Sequence, residues 1–353
     1  MERNEQYPHL DAYRDMIPEI DRAIETLDDL IDSQDTYFVM LRELKTILFR
    51  LTNERFLERI KKENDEKFLQ EVEKATPHKE TIEKLIEDIN LFDEENKKLL
   101  AAIIQTGKMD SEEFDVLYPY LYTLAVDTTA HDRIPPELVG FFGENTREKC
   151  SALSVDEYAI FCYLLIRIKA KGRYRFAHPH LADELVALVE ASREMPPKSR
   201  VGFYLEAAEY YKNVARRTDA RTCYEKAATV AKENSDLEAS AYAMQKYYRL
   251  NQTFPKAMQV KPDEKAIEAE YGKFASIVLK GVRERSLKVD PVEFTEGFPE
   301  AFQKVMWKVE AQIDKEGDFR TGYQRWNLME EYFSEMKIRW RCPKLMNPDM
   351  MFD

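Results

Sequence analysis

Apolar residues recur at steps of three and four along most of this chain. Leu41, Leu44, Leu48 and Leu51 fall on one face of a helix that Asp35 opens. Leu57, Ile60, Phe68, Leu69 and Val72 carry the stripe onward between runs of Lys and Glu. Thr76-Pro77 supplies a cap and then a proline at a first helical position, and Ile82, Leu85, Ile86 and Ile89 continue from it. Gly107 closes the helix after that one, and Asp110-Ser-Glu-Glu113 restarts the chain with a capping-box-like pattern. Residues 35–126 therefore predict four or five antiparallel helices with short links.

Between residues 127 and 151 the period breaks at Pro135-Pro136, Gly140 and Gly143, as in a connector. Ser154-Val-Asp-Glu157 is a second capping box, and it leads into residues 158–168, apolar enough to predict a central helix. A basic loop follows, then a helix to about residue 194 and a stop at Pro196-Pro197. Residues 251–263 contain Pro255 and Pro262 and read as a linker. Further helices are predicted over about 264–287, 299–315 and 319–337. The expected class is all-α, built of stacked antiparallel helical hairpins. Its expected parts are an N-terminal bundle (1–130), a middle domain (131–250) and a C-terminal unit (264–353).

Composition narrows the function. The chain has only 10 glycines, which argues against β-sandwiches and glycine-rich phosphate loops alike. A net charge of −13 opposes general affinity for nucleic acid, because phosphate contacts supply most of that binding. Residues 1–8 are polar and lack the apolar core of a signal peptide, and no uncharged run approaches the roughly 20 residues that span a bilayer. Cys150, Cys162, Cys223 and Cys342 are scattered and read as reduced thiols. A cytoplasmic protein without a cofactor is expected.

Residues 201–234 resemble one tetratricopeptide repeat, a helical hairpin of roughly 34 residues. Tyr204 takes the large aromatic position, Ala207-Ala208 the Leu-Gly position, and Tyr211 the tyrosine position. Ala220, Tyr224 and Ala227 follow the small-aromatic-small pattern of the second helix, while Lys232 stands where a proline usually ends the repeat. The resemblance implies a helical-repeat surface that binds peptides or proteins. It also implies that Ala220 and Ala227 let two helices approach while Tyr204, Tyr211 and Tyr224 fill the space beside them.

Other constellations point elsewhere. His131-Asp132, Ile134-Pro135-Pro136, residues 153–158 and His178-Pro179 loosely resemble, in that order, the HD-domain phosphohydrolases. That resemblance implies a metal held by His131, Asp132 and His178, although the Gly-Lys that follows the His-Asp pair in that family is absent. His178-Pro179-His180, with Asp183 and Glu184 nearby, is a candidate half of a metal site or a turn leading into a helix. Arg167, Lys169, Lys171, Arg173, Tyr174 and Arg175 interleave cations with aromatics and suit an anion, an acidic peptide or RNA. The tail is apolar and punctuated by proline, so Trp340, Arg341 and Phe352 are candidate anchors on the chain itself or on a partner. The expected function is a non-enzymatic scaffold or adaptor for another protein, with a metal-dependent phosphohydrolase as the alternative.

Overall fold

A computed structural model describes residues 37–63, 66, 69–70, 73, 76–126, 134–135, 138, 145–171, 176–192, 195–316 and 322–350. Among the described residues every regular element is helical, so the protein is all-α. The chain divides into two compact units, one of residues 1–142 and 148–152 and the other of residues 143–147 and 153–353.

The first unit contains α1 (Tyr37–Thr52), α2 (Glu54–Glu63), α3 (Lys79–Thr106) and α4 (Ser111–Val126), and α3 packs against both α1 and α4. Ile82, Phe92, Leu100 and Ile103 of α3 are buried, as are Phe114, Leu117, Tyr120, Leu121 and Leu124 of α4. Phe92 meets Tyr120 edge to face with centroids 6.2 Å apart. Thr76–His78 forms one 3₁₀ turn ahead of α3. Gly107 ends α3 at φ +77°, a conformation that disfavours any residue with a Cβ. The expected capping box is present in reciprocal form. Glu113 N–H donates to Asp110 Oδ1 at 2.9 Å, and Asp110 N–H donates to Glu113 Oε2 at 3.0 Å.

A short helix, α5 (Thr146–Lys149), precedes the second capping box, where Ser154 N–H donates to Glu157 Oε2 at 2.7 Å. That box opens α6 (Val155–Lys171), whose Tyr158, Phe161, Leu164, Leu165 and Ile168 are all buried in the second unit. There follow α7 (His180–Ala191), α8 (Pro197–Asn213), α9 (Arg217–Glu233) and α10 (Leu237–Asn251). Each packs on its predecessor from α7 to α10, and α6 also touches α8. The α8–α9 and α9–α10 turns share one geometry. Ala215 and Ser235 both sit at φ +61°, and the next residue returns a hydrogen bond to the preceding helix (Arg216 N–H to Tyr211 O, 2.8 Å; Asp236 N–H to Ala231 O, 2.9 Å).

The helix expected over 264–287 is two. α11 (Glu264–Tyr271) ends at Gly272, at φ +51°, and α12 (Ala275–Arg283) begins after a 3₁₀ turn. α12 packs on α10 so closely that a Cβ on Gly281 would stand 2.1 Å from the Gln245 carbonyl oxygen. The stretch 251–263 is tied down by Asn251, which is buried and pairs with both backbone groups of Val260 (2.8 and 3.0 Å). A 3₁₀ turn (Pro291–Phe294) leads to α13 (Phe298–Glu316) and α14 (Gly322–Glu335), which pack together with Phe298 stacked on Phe333 at 5.2 Å. The tail lies on this same unit. Trp340 is buried against Phe333, α15 (Pro343–Met346) forms one turn, and Asn347 pairs with both backbone groups of Lys288.

Candidate functional site

The second unit contains a pocket of about 780 Å3 whose walls come from four places in the chain. One wall is the turn into α7, residues 176–183. Phe176 is buried there and meets Trp307 of α13 edge to face at 5.4 Å. The Tyr210 hydroxyl of α8 donates to the Ala177 carbonyl, which fixes the backbone just ahead of His178. His178 takes φ +64°, and its ring meets that of His180 at 5.7 Å. Burial, helped by the nearby Lys169 and His180, lowers the pKa of His178 to about 4, so it is neutral at pH 7. His180 Nε2 is buried without a hydrogen-bond partner among the described residues.

The α8–α9 turn supplies Val214, Arg216 and Asp219. Arg216 donates to Asp183 Oδ2 at 2.8 Å and to Asp219 Oδ2 at 2.7 Å, and lies over the Tyr211 ring at 4.4 Å. Tyr211 donates its hydroxyl to the other oxygen of Asp183 at 2.7 Å. The remaining walls are residues 294–297 and the first turns of α13, with Pro299, Glu300 and Gln303. Glu296 and Glu300 are exposed and have no ion-pair partner among the described residues. Four carboxylates thus line the pocket with one guanidinium, beside Phe176, Phe294 and two prolines.

Nearby, Glu209 of α8 ties three helices together. Its Oε1 accepts from Tyr224 of α9 and Lys246 of α10, each at 2.7 Å, and its Oε2 pairs with Lys212. Burial works to raise its pKa, but the adjacent Lys212, with hydrogen bonds from Lys212, Lys246 and Tyr224, holds it at about 2.

The residues singled out from sequence fall in different places. Tyr204, Ala207, Ala208, Tyr211, Ala220, Tyr224 and Ala227 are all buried in α8 and α9. Of the basic run, Arg167 donates to the Tyr163 hydroxyl at 2.6 Å and lies 3.9 Å from Glu206, whereas Lys169 is buried at 2% exposure. Lys171 ends α6, and Arg173, Tyr174 and Arg175 lie outside the described residues. His131 and Asp132 also lie outside them, as does Phe352. Asp183 and Glu184, the carboxylates nearest His178-Pro179-His180, bond instead to Tyr211 and Tyr158. No group of three or more His, Cys, Asp or Glu among the described residues is placed to hold a metal. Trp340 donates to Glu293 Oε1 at 3.0 Å, and Arg341 to Asp290 Oδ2 at 2.8 Å.

Sequence reasoning passed over Arg216, Asp219, Glu296 and Glu300. In a chain with 34% charged residues nothing local marks them, and only the fold brings them to one pocket. The four cysteines are free and buried, and burial pushes the Cys223 thiol up to about 12. No helix among the described residues is long and apolar enough to cross a membrane. Compared with family models, curated proteins and solved structures, the chain matches none.

Proposed function

We propose that this chain is a helical-repeat interaction protein, with α8 and α9 as a tetratricopeptide-like hairpin and the pocket beside them as the docking point for another protein. The carrying observation is the construction of that pocket. Its walls are fixed by bonds that need no ligand: Tyr210 to Ala177, Tyr211 to Asp183, and Arg216 to two carboxylates. A preformed concavity loses little conformational freedom when it is filled, so contacts made inside it convert efficiently into affinity. The buried alanines of α8 and α9 support the repeat reading, since small side chains in a helix seam let successive hairpins approach.

The test is affinity purification of the full chain beside Gln303→Trp, which fills the pocket from a half-exposed position on α13. The expected result is a stoichiometric partner that the parent retains and the variant loses, with identical circular dichroism for both. A partner set unchanged by Gln303→Trp would remove the pocket from the reading.

A further inference from the structure

We infer that the occupant of this pocket is a cationic side chain, a lysine or arginine carried on an extended segment of the partner. The inference rests on the pocket being the docking site and adds what it recognises. Three independent features agree.

The first is charge. Asp183 and Asp219 share Arg216 between them, which leaves Glu296 and Glu300 at the rim without a counter-charge among the described residues. His178 does not restore the balance, because its surroundings hold it neutral. A cleft in which carboxylates outnumber the one guanidinium concentrates a negative field and draws the opposite sign.

The second is an unmet hydrogen bond. His180 Nε2 is buried with no hydrogen-bond partner among the described residues, and an imidazole nitrogen that carries no proton accepts a hydrogen bond. Ammonium and guanidinium groups carry only donors, so they suit the carboxylate oxygens and imidazole nitrogen of this lining, whose one guanidinium, Arg216, is engaged by Asp183 and Asp219. An anionic ligand would meet the same acceptors with acceptors of its own.

The third is the apolar lining. Phe294, Pro179 and Pro299 stand half-buried among the lining residues, and the alkyl stem of lysine or arginine packs on such surfaces while its head reaches the carboxylates. A bare metal ion would gain nothing from them. A long cationic side chain uses both kinds of wall.

The experiment titrates the full chain with three fluorescein-labelled pools of twelve-residue peptides. The pools differ only at two central positions, which hold Lys/Arg, Asp/Glu or Leu/Phe among randomised neutral flanks. Anisotropy is read at physiological salt for the parent, Glu296→Gln/Glu300→Gln, Gln303→Trp, and the control Glu238→Gln/Glu268→Gln, which removes the same charge from exposed positions on α10 and α11. The Lys/Arg pool is expected to bind best. Its affinity should fall about tenfold in the rim pair, roughly the worth of one charge-assisted contact, and it should vanish with Gln303→Trp. The control pair should bind as the parent does. If the Asp/Glu or Leu/Phe pool binds best and Gln303→Trp abolishes that binding, the cationic assignment fails while the pocket stands as a docking site. Equal losses in the rim and control pairs would show only general attraction to an acidic chain, and overturn the assignment. No binding by any pool, or binding indifferent to Gln303→Trp, overturns both.

Discussion

The indole Nε1 of Trp340 donates to Glu293 Oε1 at 3.0 Å, and the other oxygen of that carboxylate accepts from Arg217 Nη2 at 2.9 Å. Glu293 is the meeting point of α9, the 3₁₀ turn before α13 and the C-terminal tail. Its side chain is 8% exposed and that of Arg217 16%, so neither charge has much access to water. Removing one partner leaves the other buried and uncompensated. Arg217→Met should therefore destabilise the chain by about 3 kcal/mol, whereas Arg217→Met/Glu293→Leu should recover much of that loss. Urea denaturation of the single and double variants measures it. A double variant no better than the single would show that the pair does not act as a unit.

The tail itself should be protected. The Arg341 amide donates to Asp290 and the Cys342 amide to Glu330, so both should exchange slowly with solvent deuterium. Trp340→Ala should cost about 3–5 kcal/mol, the usual loss for truncating a buried indole, and should raise the exchange rate of both amides. Fast exchange there in the parent would contradict this docking.

Gly281 is set where α12 meets α10. An added methyl would lie 2.1 Å from the Gln245 carbonyl oxygen, and backbone cannot yield as a flexible side chain does. Gly281→Ala should lower stability by about 3 kcal/mol, despite alanine's better helix propensity. Ala227→Leu, in the seam of α9, should cost about 1–3 kcal/mol by the same overpacking. Thermal melts compare the two, and neutral outcomes would mean that these helices are not in such close contact.

Ser235 is exposed and held at φ +61°, where a Cβ is strained. Ser235→Gly should relieve that strain and stabilise by about 0.5–1 kcal/mol, a gain visible as a higher melting temperature. Ala215 has the same φ but is buried, so glycine there should gain less, because the lost methyl contacts offset the relief.

His178 makes stability depend on pH. Its folded pKa of about 4 lies below the ordinary value near 6.5, so as pH falls the unfolded chain takes up the proton first. Stability from this group is complete above about pH 6.5 and is lost as pH falls toward about 4. Asparagine tolerates the positive φ and does not titrate. The drop in melting temperature between neutral and acid pH should therefore be shallower in His178→Asn than in the parent. Parallel pH profiles would show that His178 ionises as freely in the folded chain as in the unfolded one.

What the sequence determined by itself is what short-range chemistry decides. Helical periodicity implied an all-α chain, and both capping boxes, Asp110 with Glu113 and Ser154 with Glu157, close between residues three apart. Gly107 ended α3 for an equally local reason, its positive φ. Ala215, Ser235 and Lys337 adopt the same kind of turn without glycine, which no local signal announced, because packing on either side imposes it. Asn251 and Asn347 were unremarkable polar residues in proline-punctuated stretches until the fold placed Val260 and Lys288 opposite them. The pocket is the extreme case. Asp183, Arg216 and Glu300 lie far apart in the chain and differ in no local way from its many other charges. Only tertiary packing brings them to one pocket, because the energy that places them comes from buried helix faces rather than from the charges themselves.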